Sequence, residues 1–536
     1  MFRSPFPDVD IPALSVYDYL FGSLSDDDLQ RIALIDPASG TETTYGALRA
    51  QIDAFAGALA ARGVGPGGAD ARPTVIGLLC PNIPAFATVF HGALRAGATV
   101  TTLNSLYTAG EIEKQLRDAG ATWLATVSLL LPQASAAAEA LGIPHGRVIV
   151  LDGAPGHPSL GELLAERAPA PDVSFDPAVH VAVLPYSSGT TGIPKGVMLS
   201  HRNLVANVQQ CRANIDLRST DRVLAVLPFF HIYGMTVLLN LALRQRASLV
   251  TMPRFDLVDF LTNIQTHQCT YLYIAPPIAV ALAKHPIVDD FDISSVHTVF
   301  SGAAPLDGET AELAGRRINA RMLQGYGMTE LSPVSHAVPH DRDDMPASSV
   351  GAMLPNQLCK LVDTETGEEI TELDAEGRTR PGEIWVSGPN VMLGYLDKPD
   401  ATAETLDEDG FLHTGDVGVY HAGGYFTIVD RVKELIKYKG YQIAPAELEA
   451  LLLGHPKVMD AAVIGVLDED RQEIPKAFVV ASPGSGLTAE EVIAFVAASV
   501  APHKKVRRVE FIDVIPKSAA GKILRKDLRA RETADV

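Results

Sequence analysis

The sequence predicts an α/β protein. Its large N-terminal domain should hold two parallel-type α/β sheets plus a small β-barrel, and a small α+β C-terminal domain should follow. Three observations carry this. The first half of the chain alternates short apolar runs with helix-period segments, as parallel strands covered by helices on both faces do. After about residue 340 the strands become short and alternating with Gly-rich turns, the pattern of an antiparallel barrel or small sheet. From Arg431 onward there are 17 Lys and Arg against 15 Asp and Glu, whereas residues 1–430 carry 27 against 49.

Taken in order, PTVIGLLC (73–80) reads as a buried strand and PAFATVFHGALRAG (84–97) as a helix with a Gly stop. ATVTTL (98–103) and ATWLATV (121–127) repeat the strand character around helix-like EIEKQLRDAG, and RVIVLD (147–152) adds another strand. Residues 165–180 are proline-rich and aperiodic, a connector between two blocks. In the second block RVLAVLP, ASLVTMP, CTYLYIAPP and VHTVFSG are strands separated by helices. KLVDTETGEEI, GEIWVSGP and YFTIVDR form the β-rich part at about 340–430. DAAVIGV (460–466) and KAFVVA (476–481) supply strands to the last domain, 431–536.

With 536 residues, the chain is long enough for three or four units of ~150 residues. A formal charge of -20 repels polyanions, so neither nucleic acid nor a membrane is an expected partner. The basic run KKVRR (504–508) lacks interleaved aromatics and reads as a solvated edge. Cys80, Cys211, Cys269 and Cys359 are too far apart for a CxxC motif, and so few thiols suit a reducing compartment. The N-terminus lacks the apolar run of a signal peptide, and no stretch of about 18 apolar residues is present. A cytoplasmic monomer or homodimer is expected.

The strongest local signal is YSSGTTGIPKG (186–196), directly after the apolar run VAVLP. Its glycines let backbone N–H groups approach a polyphosphate, its hydroxyls can donate to phosphate oxygens, and Lys195 supplies charge. It is not a Walker A loop, because Pro194 precedes the lysine and Gly196 follows it.

Extended to YSSGTTGIPKGVMLSH, this segment resembles the signature of acyl-adenylate-forming enzymes: acyl-CoA ligases, luciferases and peptide-synthetase adenylation domains. LPFFHIYG (227–234), SGAAPL (301–306), QGYGMTE (324–330), LHTGDVG (412–418), DRVKELIKYKGYQIAPAELE (430–449) and PKSAAGKILRKDLR (516–529) match further family motifs in order, so the resemblance spans roughly residues 30–530. HIYG, SGAAPL, QGYGMTE and KELIKYKGYQIAP resemble the 4-coumarate/cinnamate–CoA ligase branch. The implied activity converts an aryl carboxylic acid into an acyl-adenylate with ATP and Mg2+, then into a thioester with coenzyme A. A carboxylate is a poor acylating agent, and joining two anions at phosphorus requires fixed positive charge and oriented donors.

The resemblance also implies residue roles. Ser187, Ser188, Gly189, Thr190, Thr191 and Lys195 would hold the phosphates, with Gly325 and Thr329 as further nucleotide contacts and Glu330 as the magnesium ligand. Asp416 and Arg431 would take the ribose. Lys522 would bridge the substrate carboxylate and the α-phosphate, a task suited to a mobile ammonium. His231 would sit by the acyl carboxylate and gate the thiol. Lys433 would be the hinge about which a mobile C-terminal domain rotates. Lys437 and Gln442 would contact AMP and the acyl group, while Arg254, Lys439 and Gly440 would contact coenzyme A. Tyr233, Thr236, Val237, Tyr273, Phe300, Ala303 and Ala337 would line the acyl pocket. Here the chain departs from the plant branch, which usually has Asn and Ser for Thr236 and Val237, Lys for Phe300, and Met near Ala337. A more apolar distal pocket favours acids without ring hydroxyls, since a buried hydroxyl needs partners. A medium-chain fatty acid–CoA ligase and a luciferase-like monooxygenase are the alternatives.

Overall fold

The computed structural model describes residues 1–67, 72–187, 194–438, 441–468, 472–519 and 521–534. The first sheet runs in the order Gly394–Tyr395, Lys195–Ser200, Val181–Val183, Thr99–Thr102, Val75–Leu79, Trp123–Thr126, Val148–Val150, with Tyr186–Ser187 paired onto Lys195–Ser200. Its centre is parallel, Val75–Leu79 lying between Thr99–Thr102 and Trp123–Thr126. All five residues of Val75–Leu79 are buried, which is why that strand reads as a continuous apolar run. The helix Pro84–Arg95 starts on proline, whose missing N–H is no loss in a first turn, and stops just before Gly97 at φ 79°.

The second sheet runs Ala352–Met353, Val334–Ala337, Arg321–Gly327, Thr298–Ser301, Tyr271–Ile274, Arg222–Ala225, Ser248–Thr251, Ile32–Asp36, Thr41–Thr44. Ile32–Asp36 enters this sheet in parallel register, with Leu34 beside Leu249. The extreme N-terminus goes elsewhere: Phe2–Arg3 forms the edge of a five-stranded antiparallel sheet with Leu358–Val362, Gly382–Ser387, Leu412–His421 and Tyr425–Arg431. That sheet is the β-rich part of the sequence, and the alternating burial of Gly382–Ser387 accounts for its period-two pattern.

Beyond it lie a hairpin, Ile436–Tyr438 with Tyr441–Ile443, and a three-stranded sheet of Val458–Leu467, Glu473–Ala481 and Arg508–Phe511. Helices Pro445–Leu453, Ala489–Ser499 and Arg525–Ala534 accompany them. Two apolar cores of this part draw only on residues from Ile436 onward, whereas the main core ends at Phe426. A small patch joins the two, Val417 packing with Leu435 and Ala444. The four cysteines are free and buried. No helix among the described residues is long and apolar enough to cross a membrane.

Candidate active site

Strand register brings together residues that are far apart in sequence. Lys195 is the cross-strand partner of Ser187, and Asp416 that of Arg431. Gly325 faces Ala337, and Tyr273 lies beside Phe300 in parallel register.

At the phosphate-loop end, the Ser187 hydroxyl donates to Glu330 Oε1 at 2.7 Å and the Tyr395 hydroxyl donates to the same oxygen at 2.8 Å. Glu330 is 2% exposed, and Lys195 Nζ lies 4.7 Å from the centroid of the Tyr395 ring. Tyr395 thus touches both the acid and the ammonium, a residue the sequence reading missed. Its signal, a Gly–Tyr pair in GYLDKP, is too common to single out. Among the described residues no hydrogen bond goes to Glu330 Oε2, and no group of three metal-ligating side chains forms. A single buried carboxylate with a free oxygen fits magnesium, which commonly takes one or two carboxylates and completes its shell with water and phosphate oxygens.

Asp416, 6% exposed, receives the Tyr326 hydroxyl at 2.7 Å, and its Oδ1 lies 3.2 Å from Arg431 Nε. Burial and the Asp416 carboxylate raise the Tyr326 phenol well above its ordinary range, so it stays a donor. A buried aspartate fixed by one phenol and one guanidinium keeps lone pairs for two further O–H groups.

Lys522 comes from the C-terminal part. It sits in a tight loop: Lys522 N–H donates to Ser518 Oγ at 3.2 Å, and Ser518 N–H donates to the Lys522 carbonyl at 2.8 Å. Gly521, at φ +80°, carries the loop against the large domain, where an added Cβ would lie 3.1 Å from Ala275 Cβ. Burial pushes the Lys522 ammonium down to about 8; Arg431 also lowers it, while Asp416 and Glu330 hold it up. His231 is pushed down to about 4 by burial and then by Lys522. Lys522, His231, Asp416, Arg431 and Glu330 therefore share one electrostatic neighbourhood.

Three acyl-pocket candidates, Tyr233, Thr236 and Val237, lie on a wide, π-type helical turn, Tyr233–Asn240, in which every residue is buried. Such turns recur at functional sites because they re-aim side chains. The Tyr233 hydroxyl donates to the Phe300 carbonyl at 3.2 Å, and its ring centroid lies 6.4 Å from that of Tyr273. Thr236 Oγ1 is buried without a hydrogen-bond partner. The Tyr273 hydroxyl, also buried, has the Tyr271 hydroxyl beside it but makes no hydrogen bond of normal geometry. Gly325 is glycine for want of room, since a Cβ there would stand 2.6 Å from the Phe300 ring. Val237 and Ala337 are buried, and Ala303 is exposed in left-handed backbone at φ 72°.

Thr329 is half-buried immediately before Glu330. Lys433 is exposed in the turn that follows Tyr425–Arg431. Lys437 and Gln442 are exposed and face each other across the hairpin, and Arg254 is exposed before the helix Leu257–His267. No hydrogen bond or ion pair among the described residues joins Lys437, Gln442 or Arg254 to the central cluster. Ser188, Gly189, Thr190, Thr191, Lys439 and Gly440 lie outside the described residues.

Comparison with known proteins gives this geometry a family. Residues 25–396 match the AMP-binding enzyme family and residues 447–522 match the AMP-binding enzyme C-terminal domain. The chain is 42% identical over 546 residues to a 4-coumarate–CoA ligase 5 of Oryza sativa subsp. japonica, covering 100% of this chain and 98% of that one. It is 42% identical over 547 residues to a 4-coumarate–CoA ligase 1 of Solanum tuberosum, covering 100% and 97%. Among solved structures it resembles an anthranilate–CoA ligase, AuaEII, in complex with anthranoyl-AMP, with a TM-score of 0.88, 25% identity and coverage of 98% and 99%. ATP-bound MatB from Rhodopseudomonas palustris aligns with a TM-score of 0.85 at 29% identity, covering 96% and 98%. The chain belongs to the AMP-binding enzyme family, as an acid–thiol ligase.

Proposed function

We propose that the protein is a cytoplasmic ligase that converts 4-coumarate, cinnamate or a close relative to its coenzyme A thioester in two steps. First the substrate carboxylate attacks the α-phosphorus of ATP, forming the acyl-adenylate and releasing pyrophosphate. Then the thiol of coenzyme A attacks the acyl carbon, and AMP leaves. The observation that carries this reading is the convergence of Lys522 with Asp416, Arg431, Glu330 and His231, since joining two anions at phosphorus needs a mobile positive charge at that place. Full-length likeness to two proteins named as 4-coumarate–CoA ligases supports the acid class.

In this reading Lys195 and Ser187 face the phosphates, and Asp416 accepts the two ribose hydroxyls beside Arg431. Glu330 would hold magnesium, which neutralises phosphate charge when bound. The ammonium of Lys522 lies between carboxylate and α-phosphate during adenylation. His231, pushed down to about 4, is neutral at pH 7 and adds no second cation to repel that ammonium. The small domain, about residues 431–536, then turns about Lys433 to present the KYKGYQ segment, with Lys437, Lys439, Gly440 and Gln442, for the second step. Arg254 waits for coenzyme A at the surface.

Tyr233, Val237, Phe300 and Ala337 supply an apolar wall, with Ala303 at its rim. The unpartnered Thr236 hydroxyl offers a partner for a phenolic group, which favours 4-coumarate over what Val237 and Phe300 alone imply.

Separate assay of the half-reactions tests the assignment. Lys522→Ala should lower pyrophosphate release from ATP and 4-coumarate by at least about a hundredfold, the scale on which one transition-state charge contact acts. It should leave thioester formation from synthetic 4-coumaroyl-AMP and coenzyme A nearly intact. Adenylation at the parent rate in this variant would contradict the role of Lys522.

A further inference from the structure

Three residues after Lys522, Arg525 is a largely buried cation of the small domain. Its Nη2 donates to both carboxylate oxygens of Glu449 at 2.7 Å, and its Nε donates to the Val463 carbonyl at 3.2 Å. Glu449, 8% exposed, also accepts the Val463 N–H at 2.8 Å. At the other end of the Lys522 loop, Lys517 Nζ contacts Asp460 Oδ2 at 2.5 Å. Lys517 and Arg525, on either side of Lys522, are therefore both tied to the small domain, and whatever orients the helix Pro445–Leu453, which carries Glu449, orients Lys522 as well.

Among the described residues, the hydrogen bond that ties that helix's first turn to a group outside the small domain is accepted by Asp430. Asp430, 6% exposed, is the penultimate residue of the strand Tyr425–Arg431. Its Oδ2 accepts the Ala446 N–H at 2.8 Å, and its Oδ1 accepts the Arg431 N–H at 2.7 Å. The helix starts Ala444–Pro445–Ala446, and Ala444 has no side-chain oxygen with which to cap it. Asp430 performs the N-cap function from across the hinge, with an anionic acceptor at the positive end of the helix.

We propose that Asp430 is a positioning residue for adenylation: by capping the helix Pro445–Leu453 from the large domain it holds the Glu449–Arg525 clamp, and with it Lys522, in the adenylating orientation. This rests on the reading that the small domain turns about Lys433. Residues 430 and 446 lie on opposite sides of that pivot, so the cap must break for the second half-reaction. Asp430 therefore favours one orientation and contributes nothing to the other.

The test uses the full-length enzyme and both half-reactions. Asp430→Ala should slow adenylation about tenfold, equivalent to ~1.4 kcal/mol, while thioester formation from synthetic 4-coumaroyl-AMP and coenzyme A stays within about twofold. Asp430→Asn, which keeps the shape and one neutral acceptor, should fall between Asp430→Ala and the parent. A parallel fall of both half-reactions, or unchanged adenylation in both variants, overturns the proposal. Spin labels on Glu404→Cys and Lys526→Cys, both exposed, report domain orientation, the native cysteines being buried. If the parent's label distance does not change when coenzyme A is added to the acyl-adenylate complex, the pivot reading itself fails. If the distance changes in the parent but Asp430→Ala leaves the population of the two orientations untouched, the cap proposal alone fails.

Discussion

Burial and Arg431 push the Lys522 ammonium down to about 8, against the opposing pull of Asp416 and Glu330. The charged form is complete only below that value, so adenylation should weaken as pH rises through about 8. Asp416→Asn removes one of the carboxylates that hold the ammonium charged, so the basic limb of the kcat/KM profile should move to lower pH while KM for ATP rises. A limb that stays in place would mean that Lys522 is not the group titrating. Glu330→Gln tests the neighbouring assignment. Adenylation should fall by about two orders of magnitude, and the magnesium concentration for half-maximal rate should rise. Loss of rate with an unchanged magnesium requirement would remove Glu330 from the metal site.

At the scale of elements, the site is a product of register. The sequence shows motifs in order, but only pairing shows that Asp416 faces Arg431 and Lys195 faces Ser187. The motif residues were legible because adenylate chemistry demands particular side chains. Tyr395 and Asp430 were not, because a tyrosine on a two-residue strand and an aspartate beside a stronger candidate look ordinary until their partners are known. The strands were legible as apolar runs bounded by glycine and proline. The placement of Ile32–Asp36 in the second sheet and Phe2–Arg3 in the third was not, since long-range pairing leaves no local pattern. Gly521 gives a prediction at this scale. Alanine there meets Ala275 across the domain contact in backbone at φ +80°, so Gly521→Ala should slow adenylation several-fold with thioester formation from preformed adenylate preserved. Equal loss in both half-reactions would mean that the loop, rather than its approach to the large domain, had been damaged.

For the whole molecule, acid should be more damaging than composition suggests. Burial pushes His201 and His336 down to about 3, and both are fully buried. An unfolded chain protonates these imidazoles near 6.5. Stability is therefore full above about 6.5 and is lost as pH falls from there toward 3, by roughly 1.4 kcal/mol per pH unit for each histidine. Denaturant midpoints at pH 7 and 5 check this, and equal midpoints would contradict it.

The central claim, a CoA ligase for hydroxycinnamate-type acids, is tested most directly by kcat/KM for thioester formation, with ATP and magnesium, across cinnamate, 4-coumarate, caffeate, ferulate, benzoate and octanoate. The expected result is preference for 4-coumarate or cinnamate, with one AMP and one pyrophosphate released per thioester. Preference for octanoate would keep the adenylation chemistry and contradict the acid class. Pyrophosphate release without thioester would contradict coenzyme A as the acceptor.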